Sequence, residues 1–139
     1  MDNTLQSGYK TNTIILKDCK FSRETKVTFD FSLVKHNINL EVNVNVNGNE
    51  TIVTVTLKFS QTHEEQVEFS ADISYIGVFE KVGNPVLSDE DFGNQNAPAI
   101  IFPYLREQLS NLAAKAGIGL VMLPPINFSN LKKQEARPE

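Results

Sequence analysis

The sequence predicts an α+β fold in which the strands come first and the helices last. Over the first two thirds of the chain, apolar residues recur at every second position, as they do along a strand with one buried face. Beyond residue 96 they recur at the three- and four-residue spacing of a helix. Near the C-terminus, Pro124 and Pro125 hold a connector extended, because each restricts itself and its predecessor.

The first strand is "TIILKDCKF", residues 13–21. Residues 27–33 put Val27, Phe29, Phe31 and Leu33 on one face and Thr28, Asp30 and Ser32 on the other, which reads as a second half-buried strand. The next segment alternates more cleanly, with Ile38, Leu40, Val42, Val44 and Val46 set against asparagines and Glu41. "NGNE" at 47–50 tolerates positive φ and should close a hairpin onto Val53, Val55, Leu57 and Phe59. A polar turn, "SQTHEE", leads to the strand of Val67, Phe69, Ala71, Ile73 and Tyr75. "NPVLSDEDFGNQN" reads as a loop, with Ser88 and Asp91 spaced to cap one short helical turn. A helix over 97–116 carries Ile101, Leu105, Leu109, Leu112 and Ala116 on one face, and Gly117 and Gly119 stop it. A last short helix starts near Asn127 or Ser129. One helix feature needs a reason: Pro103 interrupts the apolar run "IIFPYLREQL".

At 139 residues the chain reads as one domain, residues 1–139. A net charge of −4 gives no electrostatic case for nucleic acid or an anionic membrane. No apolar run reaches the ~20 residues that span a bilayer. The single cysteine, Cys19, and an N-terminus without a basic and apolar leader lead to the expectation of a cytoplasmic protein.

Motifs for chemistry are weak. His36 and His63 lie in polar strand or turn settings without partners at ligand spacing, so neither metal nor cofactor is expected. Cys19 has no base near it in sequence and reads as an inert thiol. "DED" at 89–91 lacks the turn glycine and the bidentate glutamate of a calcium loop, with Asn94 and Ile100 in those places. "GIG" at 117–119 closes a helix instead of opening one and has Met122 where a third glycine would fall. No enzyme is expected. What stands out is apolar surface in awkward places, above all Leu120 to Phe128, which serves either the chain's own core or a groove for another chain.

The stretch "APAIIFPYLREQLSNLAAKAGIGLVMLPPINFSNL" resembles the C-terminal half of the SecB protein-export chaperones. "FPYLRE" at 102–107 and "LPPINF" at 123–128 match that family's FPY-x-RE helix and Pro-hydrophobic-Asn-Phe helix start in order and spacing. "YIGVFE" at 75–80 and "LKDCKF" at 16–21 are similar to its fourth and first strands.

The resemblance implies a four-stranded antiparallel sheet followed by two C-terminal helices, assembled as a dimer of dimers. It places Pro103 early in the long helix, where few backbone bonds are lost, and puts Ile101, Leu105, Leu109 and Leu112 at the subunit interface. It implies an ATP-independent holdase whose clients, unfolded chains or preproteins, meet Ile76, Val78, Phe79, Met122, Leu123, Ile126 and Phe128. The connector and last helix would then face the sheet end near Ile76 to Phe79. The family's docking surface for the SecA motor is matched by Asp18 and Asp72, but Ser22 and Ser70 replace its usual Glu and Leu, so docking should be weak or absent. A chaperone dedicated to one client, such as an antitoxin, is the alternative within this fold. A small-ligand binder or enzyme on a related sheet is the alternative outside it.

Overall fold

A computed structural model describes residues 7–119 together with Val121, Leu123, Ile126 and Phe128. Four strands, β1 (Gly8–Arg23), β2 (Lys35–Asn47), β3 (Glu50–His63) and β4 (Gln66–Val82), form one antiparallel sheet in the order β1-β4-β3-β2. A helical stretch follows: α1 (Asp89–Asp91), a π-turn over Phe92–Asn96, and α2 (Ala97–Lys115). The four-stranded sheet and the long helix are as expected. Of the proposed last helix only Phe128 belongs to the described residues, so that element lies outside them.

The period-2 pattern sorts the sheet into two faces. Val53, Val55, Leu57, Phe59, Ile73 and Phe79, each at most 2% exposed, point toward α2 and form the core. On the opposite, open face lie Lys20, Asp72 and Lys58, then Ser22, Ser70 and Ser60, in cross-strand rows set by the register. Both hairpins close tightly. β2 and β3 pair up to Asn47 and Glu50 around Gly48 at φ 64°. The β3–β4 turn is made by Glu64 and Glu65, both with positive φ, at 51° and 68°.

The alternation at 27–33 does not produce a strand. Residues 24–30 run without regular structure and Phe31–Leu33 form one 3-10 turn. Side chains take the bonds that a ladder would have supplied. Asp30 caps the turn by accepting from the Ser32 N–H at 3.0 Å, and Glu68 accepts from the Thr28 N–H at 3.0 Å. Phe29, Phe31 and Leu33 are left 63%, 67% and 56% exposed.

The loop expected at 84–96 is helical from Asp89 onward. Ser88 caps α1 as its spacing predicted, its hydroxyl accepting from the Asp91 N–H at 3.1 Å. The π-turn, marked by the Ala97 N–H donating to the Phe92 carbonyl, joins α1 to α2 without a break. It buries Phe92 and Gly93 against the sheet end. A Cβ on Gly93 would lie 2.6 Å from a Val44 methyl carbon, so only glycine permits this approach. Tyr9 stacks on Phe92 with centroids 4.0 Å apart, and its hydroxyl reaches the Leu87 carbonyl and Asp89 Oδ1, both at 2.8 Å. Burial first, and Asp89 second, push the Tyr9 hydroxyl up to about 12.

α2 packs on β3 and β4, and Gly77 lets it come close: a Cβ there would lie 2.8 Å from Ile101 Cδ1. Pro103 lies in the second turn of the helix. The carbonyl it leaves without a ladder donor belongs to Ala99, and both residues are exposed. Ile101, Leu105 and Leu109 are at most 1% exposed within the single chain. That face is therefore the chain's own core, and it has no surface left to offer a second subunit. Leu112 is half-buried beside it. The helix ends in a Schellman motif, with Gly117 at φ 71° and the Ile118 N–H donating to the Ala113 carbonyl at 2.9 Å. The Arg23 guanidinium donates to the Ala116 carbonyl, tying the end of β1 to the end of α2.

Candidate binding groove

Three segments far apart in sequence meet at one end of the sheet. Val27, Phe29 and Phe31 form one wall of a groove, Ile118 and Val121 the other, and His36 and Gln61 its floor. The cavity has a volume of about 220 Å³. The Schellman cap and Arg23 set the chain's direction after α2 and so deliver Ile118 and Val121. The irregular 24–30 segment delivers the phenylalanines.

The floor is polar and hydrogen-bonded. His36 stacks on Phe59 at 5.4 Å and meets Phe31 edge-on at 5.7 Å. Gln61 is only 2% exposed, and its amide nitrogen donates to the Thr28 carbonyl at 3.0 Å and to Glu68 Oε1 at 2.9 Å. With both N–H groups committed, Gln61 presents its oxygen to His36 Nε2 at 2.7 Å, so that ring nitrogen carries the proton and donates. Glu68 Oε2 accepts from the Thr28 hydroxyl at 2.8 Å and faces His63 Nδ1 at 3.8 Å. The Thr28 backbone N–H, with the Gln61 amide, the Thr28 hydroxyl and His63, holds the Glu68 carboxyl below its ordinary value against an opposing desolvation effect.

The residues expected to hold clients are spread over several places. Phe79 is fully buried in the core, and Phe128, 7% exposed, packs edge-on against Phe102 at 5.8 Å. Leu123 and Ile126 are half-buried against that core. Ile76 and Val78 are half-buried on the open face, where the register pairs them with Ile15 and Thr13 of β1. They are on the far side of the sheet from Phe79. Met122 lies outside the described residues. None of the described residues among those expected lines this groove, to which the connector contributes Val121. Sequence reading missed Val27, Phe29, Phe31 and Ile118 as site residues. The signal was present, since three large apolar residues crowd a short segment rich in polar side chains, but their alternation imitated a strand.

Asp18 and Asp72 both lie on the open face, Asp18 opposite Ser74 and Asp72 opposite Lys20 and Lys58. The register therefore surrounds Asp72 with two cations. Ser22 and Ser70 stand directly opposite each other in the next row. Among the described residues no group of three or more His, Cys, Asp or Glu is placed to hold a metal, and no helix is long and apolar enough to cross a membrane. Cys19 accepts a weak contact from the Gln108 amide at 3.6 Å.

Comparison with known proteins bears on this arrangement. The family model described as preprotein translocase subunit SecB matches residues 3–139. The protein-export protein SecB of Saccharophagus degradans is 38% identical over 79 residues, 57% of this chain and 45% of that protein. That of Nitrosomonas europaea is 34% identical over 91 residues, 65% of this chain and 56% of the relative. The chain thus spans about half the length of the curated relatives it matches. Among solved structures, a Mycobacterium tuberculosis SecB-like chaperone in complex with a ChAD peptide from the HigA1 antitoxin superposes with a TM-score of 0.71. It is 12% identical, over 88% of this chain and 93% of that one.

Proposed function

We propose a holdase function from one premise: this chain belongs to the SecB family. It binds unfolded or preprotein segments in the groove between the 27–31 segment and the end of α2, without ATP, metal or covalent chemistry. The observation that carries this reading is the exposure of Phe29 and Phe31, 63% and 67%, on a segment held beside Ile118 and Val121. Two large aromatic side chains left this open are costly for an isolated chain and suited to transient apolar contacts. The exposed imidazole of His36 gives the groove a polar edge, and the buried Gln61 beneath it is held by its own hydrogen bonds, so the site stays open. Aggregation of a heat-denatured test protein, followed by light scattering, tests the reading. The wild type suppresses scattering with or without EDTA and ATP, and Phe29→Ser/Phe31→Ser loses most of that effect. Equal suppression by both proteins refutes the groove.

Assembly follows as part of the same reading. β1 is an edge strand of 16 residues whose outer side has no neighbour among the described residues, and a second β1 would complete it. The helix surface available to further subunits is that of Ile100, Pro103 and Tyr104, since Ile101, Leu105 and Leu109 are enclosed. The working unit is a tetramer in the cytoplasm.

A second reading, a chaperone dedicated to one client such as an antitoxin, is favoured by the open face. With Lys20 and Lys58 opposite Asp72 and serines at 22 and 70, that face is less acidic and less apolar at these positions than a docking surface for SecA would be. A pull-down from the source cell separates the readings, recovering either many clients or one dominant partner.

A further inference from the structure

The wall that carries Phe29 and Phe31 has no strand ladder of its own. Side chains hold it, and they converge on one residue, Thr28, between the groove-lining Val27 and Phe29. Glu68 takes the Thr28 N–H and hydroxyl, at 3.0 and 2.8 Å, while Gln61 takes the Thr28 carbonyl at 3.0 Å. Both backbone polar groups of one residue are thus satisfied from the sheet by side chains.

The sheet is built to do this. The β3–β4 register runs Gln61↔Phe69 and then Thr62↔Val67, so Glu68 is the extra residue of a bulge. A bulge re-aims a side chain. Here it turns a carboxylate toward the helix face, where its side chain is 12% exposed, beside the buried Gln61. The ladder pairs on either side do not use that carboxylate.

We propose that Glu68 is a positioning residue for client binding: through Thr28 it fixes the Phe29–Phe31 wall above the His36–Gln61 floor, so the groove is formed before a client segment arrives. The proposal rests on the groove reading above and adds the device that sets the groove's shape. Without the carboxylate the 24–30 segment samples positions in which the aromatic rings no longer oppose Ile118 and Val121. Apparent affinity then falls by the fraction of time the wall is in place.

The test uses the full chain and a dye-labelled, reduced and carboxymethylated unfolded protein as probe, with anisotropy for affinity and amide hydrogen exchange for the wall. Glu68→Ala should raise the apparent Kd about tenfold. It should also speed exchange at Thr28 while leaving Val55 and Leu57 of β3 protected. Glu68→Gln keeps a carbonyl oxygen for the Thr28 N–H and should stay within about threefold of wild type. Val121→Ser, on the opposite wall, should weaken the probe whatever happens at Glu68. If Val121→Ser weakens binding but Glu68→Ala binds as wild type, the positioning role is wrong and the groove stands. If both bind as wild type, the groove reading fails and the proposal with it. Should Glu68→Ala not fold, Thr28→Ala outside the sheet removes one of the same bonds. Faster exchange around residue 28 with weaker binding supports the proposal, and unchanged binding overturns it.

Discussion

The Thr51 hydroxyl is a buried polar atom with no hydrogen-bond partner among the described residues, in a side chain 1% exposed and registered between Phe79 and Val46. Such a group gives up its hydration without return. Thr51→Val keeps the shape and removes the oxygen, and should stabilise the chain by about 1 kcal/mol, read as a higher urea midpoint at unchanged slope. Glu68 is the opposite case, a carboxylate supplied with donors and held below its ordinary value of 4.5. Its contribution is complete above that value and is lost as pH falls through the lower folded-state value. The urea-midpoint difference between wild type and Glu68→Gln should therefore shrink as pH falls below about 4.5. A difference that holds constant into strong acid contradicts the assignment. Neither feature could be read in advance, because a missing partner for Thr51 and a bulge at Glu68 are properties of pairing, not of residue type.

At the scale of elements, period and turn chemistry made most of the sheet legible. The Ile38 to Val46 alternation and "NGNE" correctly mark a hairpin, and Gly117 correctly marks the end of α2. Residues 27–33 have the same period but not the same fate, since Asp30, Glu68 and Gln61 satisfy their backbone in place of a neighbouring strand. The π-turn at 92–96 escaped notice because Phe92 and Gly93 are buried by a one-residue offset that breaks helical spacing. The β3–β4 turn carries a local conflict, since Glu64 and Glu65 occupy a conformation that suits Asn and Gly. Glu64→Asn/Glu65→Gly should stabilise the hairpin by about 1–2 kcal/mol. Thermal unfolding would report it as a higher Tm, and an unchanged or lower Tm would show that the strain is absent.

For the molecule as a whole, the family and the sheet-plus-helix order could be recognised from "FPYLRE" and "LPPINF", whereas the groove could not. Its walls come from Val27, Phe29 and Phe31 on one side and Ile118 and Val121 on the other, and only the fold brings them together. Ile76, Val78 and Phe79 were plausible as a run, but strand alternation sends Phe79 into the core and the other two to the opposite face. The most direct test of the account is site-specific photocrosslinking of the full assembly to an unfolded probe chain, with the photoreactive side chain placed at position 31, 121 or 76 in turn. Strong capture from 31 and 121 with little from 76 is the predicted result. Capture from 76 with none from 31 or 121 would move the client site to the open face of the sheet and contradict the account.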